Sequence, residues 1–236
     1  MEILKLHLGE RLVEYHEAWD IQRAIHAEVV AGTRPDTLIL VEHQSVYTAG
    51  RRTASWDRPT DDTPVVDVDR GGKITWHGPG QLVGYPIVKL RTPVDVVKYV
   101  RQLETAIMTL CAEYGLQTMR VPERSGVWLP ATQAALERKV CAIGVRVAKG
   151  VTMHGFALNC NPRMSDFERI VPCGIGDAGV TSLSAELGRD ISIVDVADSA
   201  TACLVDALAD VCLDASPPTP ASTLALQTTT PTKETV

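Results

Sequence analysis

The chain has 236 residues, 45% of them hydrophobic, and a formal net charge of −6. That length suits one large domain or at most two small ones, and the absence of any Lys/Arg-rich block excludes nucleic acid as the main partner. No apolar run approaches the ~20 residues a membrane helix needs, and Met1-Glu2-Ile3-Leu4 lacks the basic start of a secretory signal, so a cytoplasmic protein with no membrane partner is expected.

Glu2 to Leu8 alternates apolar and polar residues and reads as a strand. Tyr15, Trp19, Gln22, Ile25 and Val29 recur at helical spacing, predicting a helix from Leu12 to Ala31 that Gly32 stops. Thr37 to Val41 is a short apolar run suited to a central strand. His43 to Pro64 is polar, carries Arg51, Arg52, Trp56 and Arg58, and reads as a long surface loop. Val65–Asp69, Ile74–Trp76 and Leu82–Leu90 are strand candidates. Thr92-Pro93-Val94-Asp95 starts a helix with a hydroxyl cap, proline and a carboxylate, running to about Tyr114 before Gly115. Gly126–Leu129 is a short strand. Lys139–Val147 and Val151–Asn159 are two β-type runs joined near Lys149-Gly150, which predicts a hairpin. Ser182–Leu187 reads as a short helix, and Ser192 with Asp195 caps a last helix to about Leu213. The composition predicts one folded domain over 1–213. Residues 214–236 are mostly Ser, Thr and Pro and are expected to be a disordered tail. Strands in hairpins with helices between them predict an α/β fold of the α+β type, with a mixed, largely antiparallel sheet under packed helices.

The six cysteines include no Cys-x-x-Cys pair, which excludes a zinc ribbon or a thioredoxin-type motif. Cys111, Cys203 and Cys212 fall in helical apolar patterns and read as core. Cys173 differs: it stands between Pro172 and Gly174, on a turn from which a thiol can project toward a substrate, the alternative being a small apolar residue packed in a loop. Arg70-Gly71-Gly72-Lys73-Ile74-Thr75-Trp76-His77-Gly78-Pro79-Gly80-Gln81 combines glycines, which let backbone approach a ligand, with basic donors and a proton carrier. No Gly-Lys-Ser/Thr follows it and no helix opens after it, so it is neither a phosphate loop nor a dinucleotide fingerprint. His154 lies in the second hairpin strand. Lys139, at the head of the first, is either a solvated strand end or a partner that tunes a thiol.

Read together, Arg70-Gly71-Gly72 with Thr75 and His77-Gly78-Pro79-Gly80-Gln81, Lys139 with Ala142-Ile143-Gly144-Val145-Arg146, His154-Gly155-Phe156-Ala157-Leu158-Asn159 and Val171-Pro172-Cys173-Gly174 resemble the lipoyl (octanoyl) transferase family, from about Leu4 to Leu213. The resemblance implies a fold shared with biotin and lipoate ligases. It implies Cys173 as nucleophile and Lys139 as the residue that tunes it. It also implies acyl contacts at Arg70, Gly71, Gly72, Lys73, Ile74, Thr75, Trp76 and His77, at Ala142, Ile143 and Gly144, and at Gly155, Phe156 and Ala157, with His154 in support. The implied partners are octanoyl-acyl carrier protein as donor and, as acceptors, the lipoyl domains of 2-oxoacid dehydrogenases and the H protein of glycine cleavage. The chemistry is ping-pong through a cysteine thioester, with no cofactor, ATP or metal, because the donor thioester already stores the acyl-transfer energy.

Three other readings fit parts of the pattern. An ATP-dependent lipoate or biotin protein ligase shares the glycine-rich stretch but has no use for a paired Cys173 and Lys139. A non-catalytic module holding lipoyl domains or acyl chains lacks only the reactive thiol. A cysteine hydrolase using His77 or His154 leaves Lys139 without a role. The hairpin adds a geometric expectation. If Lys149-Gly150 is a two-residue turn, Gly144 pairs with Gly155 and Ala142 with Ala157. These small residues then share one face, the floor of a slot for a hydrocarbon, while Ile143 with Phe156 and Val145 with His154 face away.

Overall fold

The structure, a computed structural model, describes residues 1–59, 63–133, 135–170 and 178–212. The expected Cys173 turn and the expected tail, 214–236, lie outside the described residues. In chain order the elements are β1 (Glu2–Leu6), α1 (Tyr15–Ala31), β2 (Thr37–Val41), β3 (Val46–Ala49), β4 (Val65–Asp67), β5 (Ile74–His77), β6 (Gln81–Ile87) and α2 (Val96–Glu113). They continue as β7 (Met119–Val121), β8 (Arg124–Leu129), β9 (Arg138–Ala148), β10 (Val151–Asn159), β11 (Gly179–Val180), α3 (Leu183–Leu187) and α4 (Ile193–Leu208).

One sheet runs β1-β2-β6-β10-β9-β8-β7, with β11 added on β9. The β1–β2 and β11–β9 pairs are parallel and the others antiparallel, the mixed α/β architecture expected. All five residues of β2 are buried because both faces of the sheet are covered. On one face α1 packs Ile25 and Val29 against Ile39, Val83 and Ala157. On the other, α2 and α4 contribute Leu103, Ile107, Val196 and Leu204 to a core with Leu40, Leu82 and Leu158. Cys111, Cys203 and Cys212 are buried.

Several boundaries differ from the pattern reading, each for a local reason. His7 takes a left-handed φ of 49°, which ends β1 at Leu6. α1 begins at Tyr15, where the Glu14 carboxylate accepts the Glu17 N–H, while Val13 is occupied by a bridge to His43. Asp95, not Thr92, caps α2 by accepting from Lys98 N. Ser192 and Asp195 form the reciprocal cap expected for α4, which stops at Leu208.

The largest difference lies in the stretch expected as surface loop. Val46–Ala49 is β3, the centre of a second sheet ordered β4-β3-β5. Tyr47 and Trp76 form a separate apolar cluster there with Phe167 and Ile170. The hairpin register agrees with expectation: Gly155 faces Gly144 and Ala157 faces Ala142. Lys149 and Gly150 both have positive φ, 53° and 76°, the signature of a turn whose twist matches the strands. Among the described residues no helix is long and apolar enough to cross a membrane.

Candidate active site

A cavity of about 220 Å³ lies between β9 and β10 of the large sheet and β5 with the 70–73 loop of the small one. It is lined by Arg70, Gly72, Lys73, Thr75 and His77, by Lys139, Ala142, Ile143 and Gly144, and by His154, Gly155, Phe156 and Ala157. Three expected contacts are not among these lining residues. Gly71 donates its N–H to Val145 O at 2.9 Å, which docks the loop on β9. Ile74 and Trp76 turn into the second sheet's apolar cluster because β5 alternates, sending Thr75 and His77 to the cavity instead.

Arg70 is buried, and its guanidinium works on the protein. It donates to Lys73 O, Thr48 O and Thr48 Oγ1, each at 2.8 Å, and to Gly71 O at 3.0 Å. These charge-assisted bonds tie the glycine loop to β3. Arg51 and Arg52 continue the attachment through their backbone, donating to Arg70 O and Gly72 O, while their side chains stay exposed and Arg52 borders the cavity.

The polar end of the cavity holds histidines and tyrosines in neutral arrangements. His43 donates from Nδ1 to Val13 O at 3.1 Å and accepts the Tyr85 hydroxyl at Nε2, 2.8 Å away. His77 donates from Nδ1 to Gln81 Oε1 at 2.8 Å and accepts from Thr48 Oγ1 at 3.3 Å. Burial pushes the two rings down to about 4 and about 3, with Arg70 and the neighbouring rings adding to the effect at His77. Burial raises Tyr15, stacked on His77, to about 12.

His154 breaks the alternation. Its φ is +57°, which turns the side chain away from Val145's face and sets it beside Trp19 and Tyr85, on the α1 side of the sheet. Gln22 Oε1 accepts its backbone N–H at 3.0 Å, and Nε2 donates to Asp69 Oδ1 at 2.7 Å. Such a backbone conformation costs roughly 1–3 kcal/mol and persists only where the surroundings impose it. The His154 hydrogen bond holds the Asp69 carboxyl below its usual range, helped by the Arg146 guanidinium paired with the same group. Burial lowers His154, against the pull of Asp69.

Lys139 lines this cavity. It also lines a smaller recess with Trp128, Asn159, Phe167 and Ala178–Val180. Lys139 is 6% exposed, and its ammonium makes no hydrogen bond or ion pair among the described residues. Its Nζ stands 4.5 Å from the centroid of the Trp128 ring. β11, which follows the 171–177 segment, is joined to the head of β9: Gly179 pairs with Arg138, and Thr181 N donates to Lys139 O at 2.9 Å. Arg138 is clamped twice by Glu186 at 2.6 Å, and Glu186 also accepts from Thr181 Oγ1. Cys141, close in sequence to Lys139, is fully buried in the core, and burial raises its thiol well above the usual range. That environment disfavours a thiolate there. Among the described residues no cluster of three metal-ligating side chains occurs.

Tyr15, His43, Asp69, Tyr85, Glu104 and Trp128 were not singled out by sequence reasoning. Two left a signal: Asp69 immediately precedes the glycine loop, and Glu104 interrupts the apolar face of α2 between Leu103 and Ile107. The others lie on α1, β6, β8 and the segment before β3, which are brought together by the tertiary fold and which no local pattern records.

Residues 14–205 match the sequence model of the lipoyl protein ligase A/B catalytic domain. An octanoyltransferase of Rhodococcus jostii (strain RHA1) is 61% identical over 206 residues, covering 86% of this chain and 79% of that protein. An octanoyltransferase of Thermobifida fusca (strain YX) is 59% identical over 202 residues, covering 84% and 86%. Among solved structures, a bipartite lipoate protein ligase studied with its E2 lipoyl domain, from Thermoplasma acidophilum, aligns with a TM-score of 0.61 at 13% identity. That alignment covers 88% of this chain and 82% of the other. A lipoate protein ligase of T. acidophilum with bound lipoic acid aligns at 0.58 and 13%, covering 79% and 80%. At that identity the likeness speaks for the fold.

Proposed function

The chain belongs to the family of lipoyl protein ligase A/B catalytic domains, and on that premise we propose how this acyltransferase, an octanoyltransferase like its relatives, uses its site. The donor is an octanoyl thioester on acyl carrier protein, and the acceptor is a lysine of a lipoyl domain. The thiolate of Cys173 attacks the thioester carbonyl. A new carbon–sulfur bond forms, the carrier's breaks, and the carrier leaves as a thiolate that takes the proton of the Lys139 ammonium, which becomes a free amine. The acceptor amine then attacks the Cys173 thioester, loses its proton to Lys139, and displaces the Cys173 sulfur. No bond energy beyond that of the thioester is spent.

The observation that carries this reading is the position of Lys139: buried, without an acidic partner among the described residues, and lining both the acyl-sized cavity and the recess that reaches the strand following Cys173. An ammonium near a thiol favours the thiolate, and the same group as a free amine accepts a proton. The cavity takes the hydrocarbon, with about 0.8 kcal/mol for each methylene buried. His154, held by Asp69, is part of its lining.

Lys139→Met tests the pairing. Iodoacetamide should alkylate Cys173 more slowly than in wild type at pH 6.5, with the difference narrowing at pH 9. An unchanged pH profile would make Lys139 an ordinary strand end. ATP–pyrophosphate exchange should be absent; its presence would move the chain to the ligase branch of the family.

A further inference from the structure

We propose that Trp128 is the positioning residue for Lys139, its indole face holding the ammonium between the acyl cavity and the smaller recess. This rests on the role of Lys139 given above and adds the group that keeps it in place.

Trp128 and Lys139 are directly opposed across β8 and β9, and the register shifts between Val127 and Trp128. Such a shift re-aims the side chain that follows it. Nζ lies 4.5 Å from the ring centroid, inside the range in which a cation is attracted to a π face. Both side chains are nearly closed off from water, Trp128 at 1% and Lys139 at 6% exposure, so the attraction is weakly screened. The Trp128 Nε1 hydrogen makes no hydrogen bond among the described residues, so the ring's contribution there is its face and its bulk.

The lysine stem is confined as well. A Cβ at Gly126 would stand 3.3 Å from Lys139 Cε, 3.5 Å from Cδ and 2.5 Å from Cys141 O, and Gly126 has a φ of +115° that only glycine adopts readily. The bare backbone of Gly126 is therefore one wall of the slot that the stem occupies. That wall is fixed by Glu104, which accepts the Gly126 N–H at 3.1 Å. Glu104 is fully buried, and its other oxygen takes Arg101 at 2.6 Å and Arg120 at 2.9 Å. The nearby carboxylate is thus committed to two arginines and to Gly126, and the lysine meets an aromatic face instead.

That choice of partner suits the reaction. A carboxylate would bind the ammonium hydrogens and compete for the proton that Lys139 must exchange. A π face attracts the cation without accepting a proton, leaving the three N–H groups free. Trp128 lines the small recess and not the acyl cavity, so its loss should act on turnover and not on donor binding.

The alternative is that the ring only fills space. Fluorination separates the two, because each fluorine weakens the negative face of the ring while barely changing its size. Trp128 is replaced in the full chain by 5-fluoro-, 5,7-difluoro- and 4,5,6,7-tetrafluorotryptophan at that codon alone. The expected result is a stepwise fall in kcat for octanoyl transfer, reaching about fivefold at four fluorines, the equivalent of ~1 kcal/mol. KM for the carrier-bound donor should stay within twofold and Tm should not move. Trp128→Phe should retain most of kcat and Trp128→Leu should lose tenfold or more. A flat fluorine series overturns the proposal, whether or not Trp128→Leu folds, and so does a series that acts on KM. Lys139→Met in the same assay keeps the two ideas apart. An active Lys139→Met removes the reading beneath the proposal; an inactive one beside a flat series removes Trp128 alone.

Discussion

Acid should unfold this protein through two histidines of its site before its carboxylates titrate. His43 and His77 both accept a hydrogen bond at Nε2, and protonation would replace that acceptor with a donor facing another hydroxyl. The folded chain binds these protons only near pH 4 and pH 3, whereas an unfolded histidine binds one near ~6.5. Because the folded values are depressed, the stability they represent is fully present above the unfolded value. It is lost as pH falls from about 6.5 toward those folded values. At pH 4.5 each ring contributes a loss of roughly 2–3 kcal/mol by linkage, ~5 kcal/mol together. That is comparable with the whole stability of many domains. His154, lowered by burial, adds with the same sign in the same window. Urea unfolding followed by circular dichroism from pH 7.5 to pH 4.5 reads the effect directly. The His43→Gln, His77→Gln double variant should flatten the profile even if its stability at pH 7.5 is lower. A wild-type loss under ~1 kcal/mol, or an unchanged slope in the double variant, would refute the neutral-histidine account.

Two further outcomes follow from the cavity and its border. Gly144→Val places a Cβ 3.0 Å from Arg70 Cδ and 3.1 Å from Gly71 O, so the glycine loop must shift at a cost of ~1–3 kcal/mol. Tm should fall, and preference should move from octanoyl to butanoyl thioesters; an unchanged donor ratio means the chain does not run over Gly144. Arg51→Glu with Arg52→Glu reverses the exposed charge of this pair, which should raise KM for an acidic carrier-borne donor, weaken its salt dependence and spare a small octanoyl thioester. Equal loss with both donors would place these arginines in the fold instead.

Much of this architecture is legible in the sequence where local chemistry decides it. The hairpin register is, because two positive-φ turn residues fix it and small residues face one another across it. The faces of α1, α2 and α4 are, because burial writes itself at helical spacing. β3 is not: Val46–Ala49 is short and lies in a polar stretch, and it becomes a strand only when β4 and β5 pair with it. His154 is not, because alternation predicts the opposite face and the reversal is imposed by Gln22 and Asp69, both distant in sequence. The Trp128–Lys139 contact depends on a register shift, a property of two strands together.

The central claim is that the acyl group passes through Cys173, and intact mass reports it most directly. Wild type incubated with octanoyl-acyl carrier protein and no acceptor should gain the mass of one octanoyl group, mapped by proteolysis to Cys173, and lose it when a lipoyl domain is added. Cys173→Ala should gain none. An adduct on another cysteine such as Cys141, or transfer by Cys173→Ala at the wild-type rate, would contradict the account.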